Sequence, residues 1–431
     1  MSYEEKMNID EIRKYLHKIR FRYWKATKKD KGRLLDEMEA ITKLHRKHLI
    51  RLITGRLERK KRSRQRGREY GADVDDAVRV IARSLDYPCA ERLRDNLVWM
   101  ADQLVQHGEM RLGVGLREKL ERISVSTLRR TLERVGDKKE RIAFRRGPRR
   151  GGVNRVAREV SLQNIPWGEE EAGHFEVDLV HHSDDPSGGQ YVHTIQMLDV
   201  ATGWSECAAV LGRSYLVMQD GFERMSRRLP FAVREIHSDN GREFLNDHLL
   251  RFWKDKYKGL TLSRSRPFRK NDNRFVEENN HSLVRAYVGH ARMDTVAHTR
   301  LLNELYDKLW WYHNFFQPFM HLVGKKEISL ADGHKHIQRI YDHPRPPFDR
   351  LCEKGILDSA LEDKLQKMRC AINPLQLRSE IEDLIHTIYS LPKARQSEPE
   401  NVYHSLYKSN PHQKGEDISV TLSIDRTIAL G

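Results

Sequence analysis

Apolar positions recur at helical spacing near the start of the chain. Ile12, Leu16 and Ile19 form one stripe and Leu34, Leu35, Met38 and Ile41 another, which predicts helix over residues 9–57. Thr42-Lys-Leu44 interrupts the pattern. A second short helix follows, His45–Thr54, stopped by Gly55. The pair, with Arg46, Lys47, His48 and Arg51 around an apolar stripe, reads as a helix-turn-helix that would place Arg46, Lys47 and Arg51 against DNA. A further helical block covers roughly 72–135. It contains Asp73–Leu85, a break at Tyr87-Pro88, Ala90–Gln106, and a last helix capped by Ser124 or Ser126. Arg129 and Arg130, with Arg134, make that last helix a second candidate for DNA contact.

From Ala172 the period changes from 3.6 to 2. Phe175, Val177 and Leu179 alternate with Glu176 and Asp178, and strands over Tyr191–Val200 and Trp204–Leu211 follow after short connections. Then come a helix (Ser214–Arg227), a strand (Arg234–His237), a helix (Phe244–Tyr257), a strand (Thr261–Ser265) and a long helix from about Asp272. Three antiparallel strands followed by alternating helices and strands predict a mixed five-stranded α/β sheet flanked by helices. The aromatic run Tyr306, Trp310, Trp311, Tyr312, Phe315 and Phe316 reads as core packing rather than base stacking. Residues 339–391 read as mainly helical, with Asn373-Pro374 opening one helix.

Two basic, Gly- or Arg-rich stretches, Arg56–Arg68 and Arg145–Gly152, read as extended linkers. The expected organisation is therefore 1–68, a helix-turn-helix domain with basic linker, and 69–137, a second helical or helix-turn-helix domain. A linker (138–165), an α/β core (166–325), a helical C-terminal region (326–395) and a tail (396–431) follow.

Charge sharpens the picture. Of 78 Lys+Arg and 62 Asp+Glu, residues 1–160 hold 43 and 24, so the basic surplus belongs to the N-terminal part. A concentrated positive field points to a nucleic-acid partner through phosphate neutralisation, and the helix-turn-helix reading makes that partner double-stranded DNA. The four cysteines are far apart and form no Cys-x-x-Cys pair, which argues against a zinc module and a disulfide scaffold. No apolar run approaches a membrane span and Met1–Glu5 lacks a signal pattern, so the expectation is a cytoplasmic chain with no membrane partner.

Three carboxylates in distinct settings carry the chemistry: Asp178 mid-strand in His174-Phe-Glu-Val-Asp178, Asp239 after a short strand in Ile236-His-Ser-Asp239-Asn-Gly, and Glu277 in Phe275-Val-Glu277-Glu-Asn-Asn280. Carboxylates converging from different elements suit a two-metal phosphoryl-transfer site. Asn280, at i+3, shares the face of Glu277, and Arg269 and Lys270 precede that helix as candidate DNA contacts. Glu278 is the rival for the third position.

The chain resembles the DDE transposases of bacterial insertion sequences that carry a retroviral-integrase-type catalytic core. The residues behind this are Glu176-Val-Asp178, Asp199-Val-Ala-Thr-Gly-Trp204, Ser238-Asp-Asn-Gly-Arg-Glu-Phe244, Arg266–Asp272, Val276-Glu277 with Asn280, Val284-Arg285 with Gly289, and Asn314-Phe-Phe-Gln-Pro318. The resemblance spans about 166–325 and favours Glu277 over Glu278. It implies a ribonuclease-H-like fold, two Mg²⁺ or Mn²⁺ ions held by Asp178, Asp239 and Glu277, cleavage at element ends, strand transfer by the freed 3′-OH, and a homo-multimer that joins two ends. The chain lacks the His-His-Cys-Cys zinc module of retroviral integrases; helix-turn-helix units stand in its place.

Overall fold

The computed structural model describes residues 7–55, 57, 69–136, 141–142, 161–162, 169, 171–183, 189–238, 247–264, 280–329, 335–395 and 400–406. The chain divides into two compact units, Met1–Glu69 and Tyr70–Gly431.

The first unit is built from three helices: α1 (Ile9–Lys25), α2 (Lys28–Thr42) and α3 (Arg46–Thr54). Asn8 caps α1 in a reciprocal box with Glu11. The Thr27 hydroxyl caps α2, which adds a break at Ala26-Thr27 that the apolar pattern did not signal. Lys43, at φ 58°, ends α2 in the left-handed region. The core is Ile12, Leu16, Ile19, Leu34, Leu35, Met38, Leu49 and Ile53. Ile41, expected in the buried stripe, is instead 44% exposed.

The second unit begins with α4 (Ala72–Ser84), α5 (Ala90–Leu93), α6 (Leu97–Gln106), α7 (Val114–Arg122) and α8 (Val125–Val135). Ser124 caps α8, its side chain accepting from the Thr127 amide. The sheet then follows: β1 (Ser161–Leu162), β2 (His174–His181), β3 (Val192–Asp199), β4 (Ser205–Leu211), β5 (Glu235–Ser238) and β6 (Thr261–Arg264). Their order is β1-β6-β5-β2-β3-β4. β3 runs antiparallel to β2 and β4, whereas β5 and β6 run parallel to β2. The expected mixed five-stranded sheet with flanking helices is present, with the two-residue β1 added at one edge.

Each face of the sheet has its own core. Phe175, Val177 and Leu179 pack with Ile195, Met197, Phe222 and Trp253, under α9 (Tyr215–Arg228) and α10 (Asp247–Lys256). Val180, Val192, Cys207, Ala209 and Leu211 belong to the opposite core, with the helix Val296–Trp311. The aromatic run lies in this second core, as expected. Tyr306, Trp310, Tyr312, Phe315 and Phe316 are buried, and Trp310 meets Trp204 edge-on at 5.3 Å.

That second core continues without interruption into α4–α8 and the helices Pro347–Glu353, Ser359–Ala371 and Pro374–Ser390. Polar contacts lock the joints. The Gln103 amide donates to the carbonyls of Arg369, Cys370 and Ile372, satisfying the last turn of one helix from another. The Tyr312 hydroxyl donates to the Ser84 carbonyl at 2.8 Å, and Arg378 pairs with Asp86. The region expected to be helical from 326 onward also contains strand: β7 (Leu322–Ser329) pairs antiparallel with β8 (Lys335–Tyr341). A Phe319–Arg345 bridge closes the hairpin's base, and Arg350, bonded to both Asp342 and the Phe319 carbonyl, fixes it. These partners lie outside the local window from which a helix pattern is read.

Among the described residues no helix is long and apolar enough to cross a membrane.

Candidate active site

Asp178 lies on β2, with β3 on one side and β5 on the other. Its register partner on β3 is Gln196, which is fully buried. The period of two puts Phe175, Val177 and Leu179 into the α9 core, so Glu176 and Asp178 face the other side. Glu176 is fully buried there, while Asp178 is only half-buried. The Asp178 Oδ1 accepts from the Leu179 amide at 2.8 Å, which restrains the carboxylate against its own strand.

β5 runs parallel to β2, with Glu176 opposite His237 and Val177 opposite Ser238. Ser238 is the last described residue of that strand and immediately precedes Asp239 in the sequence. On its other side Ser238 pairs with Arg264, the last residue of β6. The carboxyl ends of β5 and β6 therefore lie level with the middle of β2, at Asp178.

A polar network braces the strands from within. The Glu235 carboxylate bonds the His174 ring at 2.8 Å and accepts from the Ser263 hydroxyl, which meets His237 Nδ1 at 2.8 Å. His237 is thus a buried, hydrogen-bonded cross-strand residue. Asp199, the first residue of the Asp-Val-Ala-Thr-Gly-Trp motif, accepts from the Gly173 amide and from both the amide and hydroxyl of Thr202. Burial raises its pKa to about 6 against these bonds. This motif shapes the turn between β3 and β4.

The segment after Glu277 returns to the same strand. Residues Asn280–Arg285 form a π-helical turn running into Ala286–Val288. The Arg285 guanidinium donates to the His181 carbonyl at the end of β2, at 2.6 Å, and to Gly289 O at 3.0 Å. Tyr389 donates to the Val288 carbonyl at 2.7 Å. His182 and His193, near this end of β2, are held neutral by burial; His193 is lowered to about 3.

Asp239, Glu277, Glu278, Arg269 and Lys270 lie outside the described residues, as does the side chain of Asn280. Among the described residues no three His, Cys, Asp or Glu side chains are grouped to hold a metal. The N-terminal candidates divide. Arg46 bonds Asp36 and the Gly32 carbonyl, bracing α3 against α2, and Arg51 bonds the His48 ring at 3.0 Å. Lys47 is exposed. On α8, Arg129 pairs with Glu91, Arg130 bonds the Ser126 carbonyl, and Arg134 is bidentate to Asp75. Arg134 thereby braces α8 on α4. The buried cluster of Arg228, Glu206, Asp307 and Arg224 behind β4 was not legible in the sequence. Its members are spread over 100 residues and carry no local pattern.

No protein-family model matches the chain. It is 33% identical over 332 residues to the "Uncharacterized protein y4rM" of Sinorhizobium fredii (strain NBRC 101917 / NGR234), covering 76% of this chain and 91% of that protein. The chain belongs to the y4rM family. The family thus spans most of both chains. Among solved structures, the crystal structure of the catalytic core domain of BIV integrase matches with a TM-score of 0.27 and 15% identity, over 43% of this chain and 97% of that one.

Proposed function

We propose that the chain is a DDE transposase that binds the terminal inverted repeats of a mobile element, cleaves DNA at its ends and joins the freed 3′-OH to target DNA. The observation that carries this reading is the β2–β5 register, Val177 opposite Ser238, which sets the residues preceding Asp178 and Asp239 side by side on adjacent strands. The ribonuclease-H-like reading of the core is supported by the sheet order, with an antiparallel β2-β3-β4 meander extended by parallel β5 and β6. A basic N-terminal part, residues 1–160, supplies the field that a DNA substrate needs.

Asp178, Asp239 and Glu277 would hold Mg²⁺ or Mn²⁺. An all-carboxylate donor set suits a hard divalent cation, and Asp178 presents a half-buried carboxylate on a rigid central strand. When bound, two such ions activate the attacking oxygen and stabilise the leaving one. The β2 backbone holds Asp178 in place through the Leu179 amide. Arg285 ties the segment after Glu277 to the end of the same strand. In the first step water displaces the 3′ oxygen from its phosphodiester, leaving a 3′-OH. In the second that hydroxyl attacks a target phosphodiester, forming a new 3′ ester bond while the target strand's own 3′ oxygen leaves as a 3′-OH. Lys47 and the exposed part of α3 would engage the duplex, and two protein copies would bring two ends together.

The test is cleavage by the full chain of a duplex bearing the element's terminal repeats, with and without Mg²⁺ or Mn²⁺. Metal-dependent release of a 3′-OH end supports the proposal. Binding without cleavage would point to a DNA-binding regulator, and cleavage never followed by joining would point to a nuclease of the same fold.

A further inference from the structure

The first unit carries an exposed face that the helix-turn-helix reading does not use. Residues 12–29 hold eight Lys or Arg and no Asp or Glu. On α1, Ile12, Leu16, Ile19 and Tyr23 face the core. At about 100° per residue, Lys14, Lys18, Phe21 and Lys25 fall on one outward line, with His17 and Trp24 beside it. All six are exposed; Phe21 is 67% and Trp24 58% exposed. Two large rings left in solvent on so short a helix are not part of the unit's own core.

Each ring is paired with a cation. Lys25 Nζ lies 4.2 Å from the Phe21 centroid, and the Arg20 guanidinium lies 4.9 Å from that of Trp24. Arg20 is itself anchored, donating to the Gly55 carbonyl at 2.8 Å. The face therefore repeats one element, an aromatic ring with a positive charge beside it. Phosphates alone would need only the lysines. The faces of paired bases are covered by stacking, so a duplex offers these rings little, whereas unpaired bases expose a π face next to each phosphate. A second copy of the same face would meet its own positive field.

We propose that α1 binds single-stranded nucleic acid, Phe21 and Trp24 stacking on unpaired bases while Lys14, Lys18 and Lys25 contact the phosphates. This stands apart from the carboxylate chemistry and from duplex recognition by α3.

The test measures fluorescence anisotropy of a labelled oligothymidine strand and of a blunt duplex of the same length, titrated with the full chain and with a Phe21→Ala/Trp24→Ala variant. A Phe21→Tyr/Trp24→Phe variant, which keeps both rings, is run beside them. The expected result is a loss of strand affinity of about tenfold or more in the alanine variant, with duplex affinity within about twofold and near-normal strand binding by the ring-keeping variant. Unchanged strand binding, or equal loss on strand and duplex, would overturn the proposal. So would a change of oligomeric state with strand binding intact, which would make the face a protein interface. Failure of the wild-type chain to bind duplex would count against the transposase reading and leave this one standing.

Discussion

Val177 and Ser238 are register partners across the parallel β2–β5 junction, and each is the residue immediately before one of the two candidate metal-binding aspartates. Parallel pairing matters here. It runs both strands in the same direction, so the residues that follow the pair leave it toward the same end of the sheet. The pair is buried, with Val177 in the α9 core and Ser238 at 4% exposure. Val177→Asp would place a charge in that core and is expected to unfold the second unit, read as loss of the cooperative transition in circular dichroism.

The buried arginine of the second core offers a sharper energetic test. Arg228 pairs with Glu206, which also accepts from the indoles of Trp204 and Trp310, and with Asp307. Arg228→Met leaves a buried carboxylate without its cation and is expected to cost about 3–5 kcal/mol in urea unfolding. Adding Glu206→Gln to the same chain removes that charge and is expected to recover part of the loss. No recovery would mean the cost comes from packing alone.

Asp199 predicts a pH dependence with a definite sign. Its folded-state pKa, about 6, lies above the ordinary 3.8, so protonation favours the folded chain. The contribution is full below about pH 4 and is lost as the pH rises through about 6. Asp199→Asn is expected to flatten the stability profile across that window, by an amount of about 2–3 kcal/mol. Parallel profiles for the two chains, measured by urea unfolding at each pH, would contradict this.

Gly203 turns the chain at φ +75°, and a Cβ there would fall within the Phe319 ring. Gly203→Ala is expected to destabilise the second unit by about 2–4 kcal/mol, combining left-handed backbone strain with overpacking. A thermal melt indistinguishable from wild type would show that Phe319 moves freely.

The two basic residues at the start of α3 are expected to behave differently. Arg46 is tied to Asp36 and Gly32, so Arg46→Ala should lower the melting temperature of the first unit. Lys47→Ala should leave melting unchanged and reduce the salt dependence of duplex binding by about one phosphate contact. The same response from both would remove the distinction.

Much of this architecture was written in local periodicity. The alternation Phe175, Val177, Leu179 marked β2, the Ser124-or-Ser126 cap marked the start of α8, of which the structure selects Ser124, and the aromatic run from Tyr306 marked the core helix. What stayed hidden depended on long-range partners. The β7–β8 hairpin is held by Arg350 and a bridge to Arg345, and the sharing of one core between α4–α8 and the C-terminal helices rests on pairs such as Arg378 with Asp86. Of the three candidate carboxylates, Asp178 is among the described residues, whereas Asp239 and Glu277 lie outside them. The basic residues were the least legible, because charge alone does not distinguish Lys47, exposed, from Arg134, bound to Asp75.

The most direct measurement is strand transfer by the purified chain on its own terminal repeats with Mg²⁺ or Mn²⁺, beside the Asp178→Asn variant. Joined products from the wild type that vanish in the variant, with end binding retained by both, are the expected result. Joining that survives Asp178→Asn, or no metal-dependent product from the wild type at all, would contradict a DDE transposase.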